Sequence, residues 1–218
     1  LNNHVLQIVK MSKILISSLA LCLFCCMSLF INCEKPTTAT KQTTSKNKTI
    51  IIQPFEDMPA ALTNKIYNQL LVVYPNIVLS EPIKFPKNAY YKLRNRYRAD
   101  TIISFLRTEA PQKSVMIGIT TKDISATKGK IPDWGVMGLG YRPGNACVAS
   151  TFRLEKEKLA EQFYKVCLHE IGHTQDLKHC PDQSCIMRAA EGKNHLDELK
   201  GFCGSCTKKM QKKGWNLE

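Results

Sequence analysis

The segment from His169 to Cys206 restricts the possible folds and chemistry of this 218-residue chain more than any other part of it. His169 and His173 are four residues apart, so on a helix they project from one face, one turn apart. Two imidazoles placed in that way can share a zinc ion. Glu170 adjoins the first of them, where a carboxylate can reach a water on the metal without coordinating the metal itself. His179 stands ten residues after His169 and can return as the third ligand once the helix has ended. With five histidines and eleven glutamates in the chain, an H-E-x-x-H arises by chance roughly once in 200 such sequences. What lifts this one above accident is that the residues around it continue the pattern.

Cys180, Cys185, Cys203 and Cys206 follow as C-x4-C, seventeen residues, then C-x2-C. That is the spacing of a tetrahedral four-thiolate zinc site, which would staple the C-terminal segment to the end of the active-site helix. Met187, two residues after Cys185, would follow the third ligand on a tight turn and lie beneath the metal. Glu191 and His195 are rivals to His179 for the third ligand position, and either could instead form a wall of the site. Arg188 and His195 are the polar residues near the methionine turn available to a developing oxyanion.

The pattern H-E-x-x-H-x-x-G-x-x-H-C-x4-C-x-M, followed by C-x-x-C, resembles that of the archaemetzincin family of zinc peptidases. In this sequence it is carried by His169, Glu170, His173, His179, Cys180, Cys185, Met187, Cys203 and Cys206. The specific part spans residues 169 to 206, and upstream only the order of elements agrees. The resemblance implies a compact, metzincin-like α/β (α+β) domain in which a mixed β-sheet packs with helices. It also implies a catalytic zinc on the three histidines, a structural zinc on the four cysteines, and a methionine turn under the first site. The implied activity is zinc-dependent hydrolysis of peptide bonds, with Glu170 as general base. One position departs: where the family has glycine, seven residues after the first histidine, this chain has Asp176. A left-handed turn there costs aspartate on the order of 1 kcal/mol.

The N-terminus has a different character. Lys13 precedes an uncharged run, residues 14 to 31, long enough for a signal h-region or a short membrane anchor. Cys33 sits where a lipoprotein keeps its lipidated cysteine, although Leu29-Phe30-Ile31-Asn32 match a lipobox weakly. Lipidation, plain cleavage and an uncleaved anchor all stay open. Residues 34 to 48 have no apolar side chain larger than alanine and read as a tether. The expected organisation is a signal or anchor over 1–33, the tether over 34–48, and one folded domain over 49–218, in an exported or membrane-anchored protein. Six of the ten cysteines belong to that domain. In an exported protein the last four could pair as disulfides instead of holding zinc, and Cys147 could pair with Cys167.

Along the domain, residues 49–55 and 76–80 read as strands, with a helix between them capped by Asp57 and facing the sheet through Leu62, Ile66 and Leu70. Residues 90–106 keep a helical period, 114–120 form a strand, and a charged loop runs to Trp134. Two strands then bracket Arg142-Pro143-Gly144-Asn145. Gly135, Gly138 and Gly140 weaken the first, which is either an edge strand able to accept an extended peptide or a plain irregular hairpin. From Glu155 the pattern turns helical and leads into His169.

The net charge of +13 comes from scattered lysines and arginines, with one short cluster at Lys208, Lys209, Lys212 and Lys213. A solvated basic surface accounts for it, and export removes nucleic acid as a partner. The expected partner is a peptide or protein substrate, the expected state a monomer. The rival reading is a non-catalytic exported module, stapled by zinc or disulfides, that binds an anionic partner. It leaves Glu170 without a role.

Overall fold

The structure, a computed structural model, describes residues 47–218. The apolar run, Cys33 and the tether up to residue 46 therefore lie outside the described residues. Among the described residues no helix is long and apolar enough to cross a membrane.

The chain runs β1 (Thr49–Pro54), α1 (Ala60–Val73), β2 (Ile77–Leu79), β3 (Tyr90–Tyr91), β4 (Arg96–Arg98), α2 (Ala99–Glu109), β5 (Ser114–Thr120) and β6 (Ile124–Lys128). It continues through β7 (Ile131–Val136), β8 (Gly138–Gly140), β9 (Ala146–Ser150), α3 (Leu159–Thr174) and α4 (Gly204–Gln211). The larger sheet has the order β2-β1-β5-β9-β8. Its first four strands are parallel, and β8 closes it antiparallel to β9. A smaller sheet, β3-β4-β6-β7, stands apart from it. The expected mixed sheet with helices is present, divided into two.

Strand chemistry explains the layering. On β5, Val115, Ile117 and Ile119 join the core under α1 and α3, while Met116 joins the core under α2, as the two-residue alternation of a strand covered on both faces requires. Gly118 of the same strand faces α2, because a β-carbon there would lie 2.7 Å from Leu106 Cδ1. Ile66 and Leu70 of α1 are fully buried, contributing about 1.5–3 kcal/mol each. At the domain's other end, Trp215 packs on Tyr74 with ring centroids 4.7 Å apart, and the Tyr74 hydroxyl donates to Lys48 O.

Three expectations fail. Asp57 does not cap α1, which starts after Pro59. The carboxylate instead accepts from the Thr120 and Thr121 hydroxyls and the Thr121 amide, tying the end of β1 to the end of β5. The helix expected over 90–106 is present only from Ala99, as α2; before it, residues 90–98 hold a single 3-10 turn at Lys92–Arg94, Asn95 takes a left-handed conformation at φ 50°, Leu93 is 83% exposed, and β4 pairs in parallel with β6. The charged stretch before Trp134 is not a loop but the hairpin β6–β7 turning through Gly129. Its two aspartates are neutralised in place. Arg96 bridges Asp123 and Asp133, and Arg153 also reaches Asp123, so residues that look solvated in the sequence hold the small sheet together.

Candidate metal centre

Helix α3 delivers the first two histidines. Its start is set by Gln162, whose side-chain oxygen accepts from the Glu155 amide, and by Glu161, which opposes the positive end of the helix dipole. Phe163, Val166, Cys167 and Ile171 are buried in the core beneath α1 and the large sheet. His169 and His173 share a different face and point into a cleft of about 1320 Å³.

The helix ends in a complete Schellman motif. Leu177 N donates to Gly172 O, Asp176 N donates to His173 O, and the residue between the two turns, Asp176, adopts φ 72°. Aspartate thus occupies the left-handed position expected for it, and Arg142 Nη1 donates to its Oδ1 at 3.1 Å. Its carboxylate is not among the ligand groups that converge. The turn brings His179 back beside the helix, its ring centroid 5.4 Å from that of His169 and 4.9 Å from that of His173.

Two backbone carbonyls fix the imidazoles. Ile186 O accepts from His169 Nδ1 at 2.7 Å, and Leu177 O accepts from His173 Nδ1 at 2.9 Å. A carbonyl can only accept, so both Nδ1 atoms carry the proton and both Nε2 atoms present lone pairs. Those two Nε2 atoms lie 3.1 Å apart. Two lone pairs at that distance repel unless a cation lies between them. A proton does not fit that role near neutrality, since burial, then the neighbouring His173, push His169 down to about 3. Burial likewise lowers His173 and His179. Zinc with bonds of about 2.0–2.1 Å would space tetrahedral nitrogens by roughly 3.4 Å. The ligand atoms of all three histidines lie within 4.8 Å of one another, so the donor set fits a metal ion.

Glu170 is 6% exposed, and burial raises its carboxyl to about 8. The glycines of β8 make room for it. A β-carbon on Gly138 would stand 2.4 Å from Glu170 Oε1, and one on Gly140 would stand 2.7 Å from Glu170 O and 3.1 Å from His173 Cβ. β8 is the edge strand that those glycines suggested, and the backbone that approaches closely is that of α3.

Cys180, Cys185, Cys203 and Cys206 form a second convergent group within the same 4.8 Å limit. Cys180 Sγ and Cys203 Sγ are 3.6 Å apart, far beyond a disulfide bond of about 2.05 Å and close to the roughly 3.8 Å between tetrahedral thiolates on zinc. The Met187 and Cys203 amides donate to Cys185 Sγ, the kind of support a thiolate ligand receives. The Ser205 hydroxyl lowers Cys203 to about 6, whereas burial raises Cys185 and Cys206. All six described cysteines, Cys147 and Cys167 included, are free thiols. The disulfide alternatives are therefore not the pairing this structure adopts.

Met187 is fully buried under α3, with its sulfur 2.5 Å from where a β-carbon on Gly172 would be. That contact is the reason glycine follows Ile171 in the motif. Glu191 and His195 line the cleft but do not join the ligand group. His195 Nδ1 and Arg188 Nη1 both engage Glu198. The two carbonyl clamps, from Ile186 and Leu177, had no signature in the sequence, because every residue carries a carbonyl.

The family model of "Peptidase family M54" matches residues 56–212. The archaemetzincin of Haloquadratum walsbyi is 31% identical over 172 residues, covering 72% of this chain and 96% of its own length. That of Methanopyrus kandleri is 32% identical over 133 residues, covering 59% and 74%. Among solved structures, the archaemetzincin of Archaeoglobus fulgidus complexed with malonate superimposes with TM-score 0.64 at 28% identity, over 74% of this chain and 99% of that one. The Methanopyrus kandleri structure gives TM-score 0.66 at 25% identity, over 78% and 97%.

Proposed function

The chain belongs to peptidase family M54, the archaemetzincins, and is a zinc metallopeptidase acting on peptides; from that premise we propose that His169, His173 and His179 hold its catalytic zinc and that Glu170 is its general base. The observation that carries this reading is the pair of lone-pair nitrogens 3.1 Å apart, each held by a carbonyl on its far side. A zinc ion held by these three histidines would supply a Lewis acid to acidify a water and polarise a scissile carbonyl. Glu170 accepts the water's proton and returns it to the leaving amine as the C–N bond breaks, regenerating the carboxylate. Its burial in the cleft beside His169 and His173, with Gly138 leaving room for the carboxylate, supports that role.

A second zinc on Cys180, Cys185, Cys203 and Cys206 is structural, supported by their convergence and thiol spacing. The extended substrate lies along the outer edge of β8, the last strand of its sheet. The N-terminal 33 residues export or anchor the domain, a reading supported by their composition alone, and residues 34–48 tether it. Family membership disfavours the non-catalytic module.

The test is Glu170→Gln with zinc measured beside activity. Retained zinc with hydrolysis reduced at least a hundredfold is the expected result. Full activity in that variant would remove Glu170 from the mechanism.

A further inference from the structure

The cleft in front of Glu170 is cationic beyond what catalysis needs. Eight lysine and arginine side chains line it against three lining carboxylates; counting Asp123, Asp176 and Glu198, which pair with Arg96, Arg153, Arg142 and Arg188 from just outside the lining, the cations still exceed the anions by eight to six, and Lys128, Lys178 and Lys193 are in no ion pair among the described residues. Of the three lining carboxylates, Glu170 belongs to the reaction, and Asp133 is already engaged by Arg94 and Arg96 at 3.2 and 3.0 Å. Glu191 alone faces the cleft as an exposed anion without such a pairing.

The placement of these cations is ordered along the chain. Three glycines of the β7–β8 run mark it: a β-carbon on Gly135 would collide with the Arg153 guanidinium, one on Gly138 with the Glu170 carboxylate, and one on Gly140 with the helix at Glu170 and His173. Arg142 follows two residues after Gly140. Arg153, with Arg94 and Arg96 nearby on shared aspartates, therefore stands at one end of this run. Arg142 stands at the other, and the reacting centre lies between. Three or four residues of chain span at most about 10–14 Å on each side. Arg94 is 61% exposed on its side chain, so its aspartate partner does not exhaust it. Arg142 shares only a surface pair with Asp176, an interaction weak enough to be exchanged for a ligand carboxylate.

We propose that this cleft selects peptides bearing acidic residues about three positions from the scissile bond on both sides. The proposal rests on the peptidase reading of the His169–Glu170–His173 centre and deepens it by naming the substrate class. A cleft with one sign of charge between low-dielectric walls concentrates ligands of the opposite sign and repels its own, and the effect weakens as salt screens it.

The experiment uses the zinc-loaded full chain and three internally quenched peptides with one common central sequence. Glutamate, glutamine or lysine occupies the three flanking positions on each side. In low salt kcat/KM should fall from the glutamate to the lysine peptide by at least tenfold, the spread should shrink severalfold in 0.5 M salt, and Arg94→Glu should narrow it. Binding of the glutamate and lysine peptides to Glu170→Gln, followed by fluorescence anisotropy, gives a second readout without turnover. Cleavage of all three peptides at equal rates, with equal binding, would overturn the charge selection and leave the peptidase reading intact. Charge-ordered binding with no cleavage by the wild type would uphold the selection and overturn the catalytic assignment.

Discussion

The carbonyl oxygen that orients His169 belongs to Ile186, the residue directly after Cys185. The carbonyl that orients His173 belongs to Leu177, three residues before Cys180. The two clamps therefore flank the segment from Cys180 to Cys185, one on each side, and the ends of that segment are drawn together by Cys180 N donating to Met187 O at 2.8 Å. The four-cysteine group holds the shell around the histidine centre as well as the C-terminal segment. Zinc binding at the two groups should be coupled.

Cys185→Ser should thus weaken zinc binding at the histidines by about 10–100-fold, the usual effect of losing an outer-shell partner. Competition against a chromogenic chelator would measure it. Unchanged affinity at the histidine site would separate the two centres.

Gly138→Ala places a methyl group 2.4 Å from Glu170 Oε1, too close for both to stay where they are. Activity should drop at least a hundredfold while zinc content stays that of the parent, and stability should fall by about 1–3 kcal/mol from overpacking. A fully active Gly138→Ala enzyme would mean that the Glu170 carboxylate need not occupy its observed position.

Asp176 tests the turn. Glycine is at ease at φ 72° and aspartate tolerates it, but a β-branched side chain does not. Asp176→Gly should therefore stay within about 1 kcal/mol of the parent, with the lost Arg142 pair offsetting part of the relief. Asp176→Val should lose about 1–3 kcal/mol and bind the catalytic zinc more weakly through a displaced His179. Urea unfolding and zinc titration of both variants decide the point.

The pH dependence of the protein stripped of its histidine-bound zinc follows from two opposed groups. Burial depresses His169, so its contribution to stability is present above the ordinary histidine value of 6.5 and is lost as pH falls toward about 3. Burial raises Glu170, so its contribution is present below the ordinary value of 4.5 and is lost as pH rises through about 8. The two effects offset each other between about pH 4.5 and 6.5, so stability should be highest near pH 5.5 and decline as pH rises toward about 8. In Glu170→Gln the alkaline decline should disappear while the acid one remains. Unfolding midpoints between pH 5 and 9 would show it, and an unchanged alkaline limb would assign that limb to another group.

The sequence revealed those elements whose residues do one job. β1 and β5 read as strands because their apolar runs are buried on both faces, and α3 read as a helix because its histidines and its core residues keep one period. The ligand groups were legible because metal coordination requires particular side chains at particular spacings. The small sheet was not. Arg96, Asp123, Asp133 and Arg153 carry charges that signal solvent in isolation, and only their mutual pairing makes them structural. The false helix over residues 90–98 came from apolar residues that fall at helical spacing by coincidence: Leu93 points to solvent, while Tyr97 stacks against Phe85.

Tyr74 gives the fold a last property. Its hydroxyl holds Lys48 and its ring holds Trp215, so the described chain enters and leaves the domain at one corner. The Val73 carbonyl takes the Asn216 amide beside it. A short linker joining residue 218 to residue 47 would close the domain into a ring, and new ends could then be opened in an exposed turn such as the one at Gly129. In topological terms the described domain is a circle cut between residues 218 and 47, beside Tyr74, and the histidine and cysteine groups should assemble wherever that cut is moved within exposed turns.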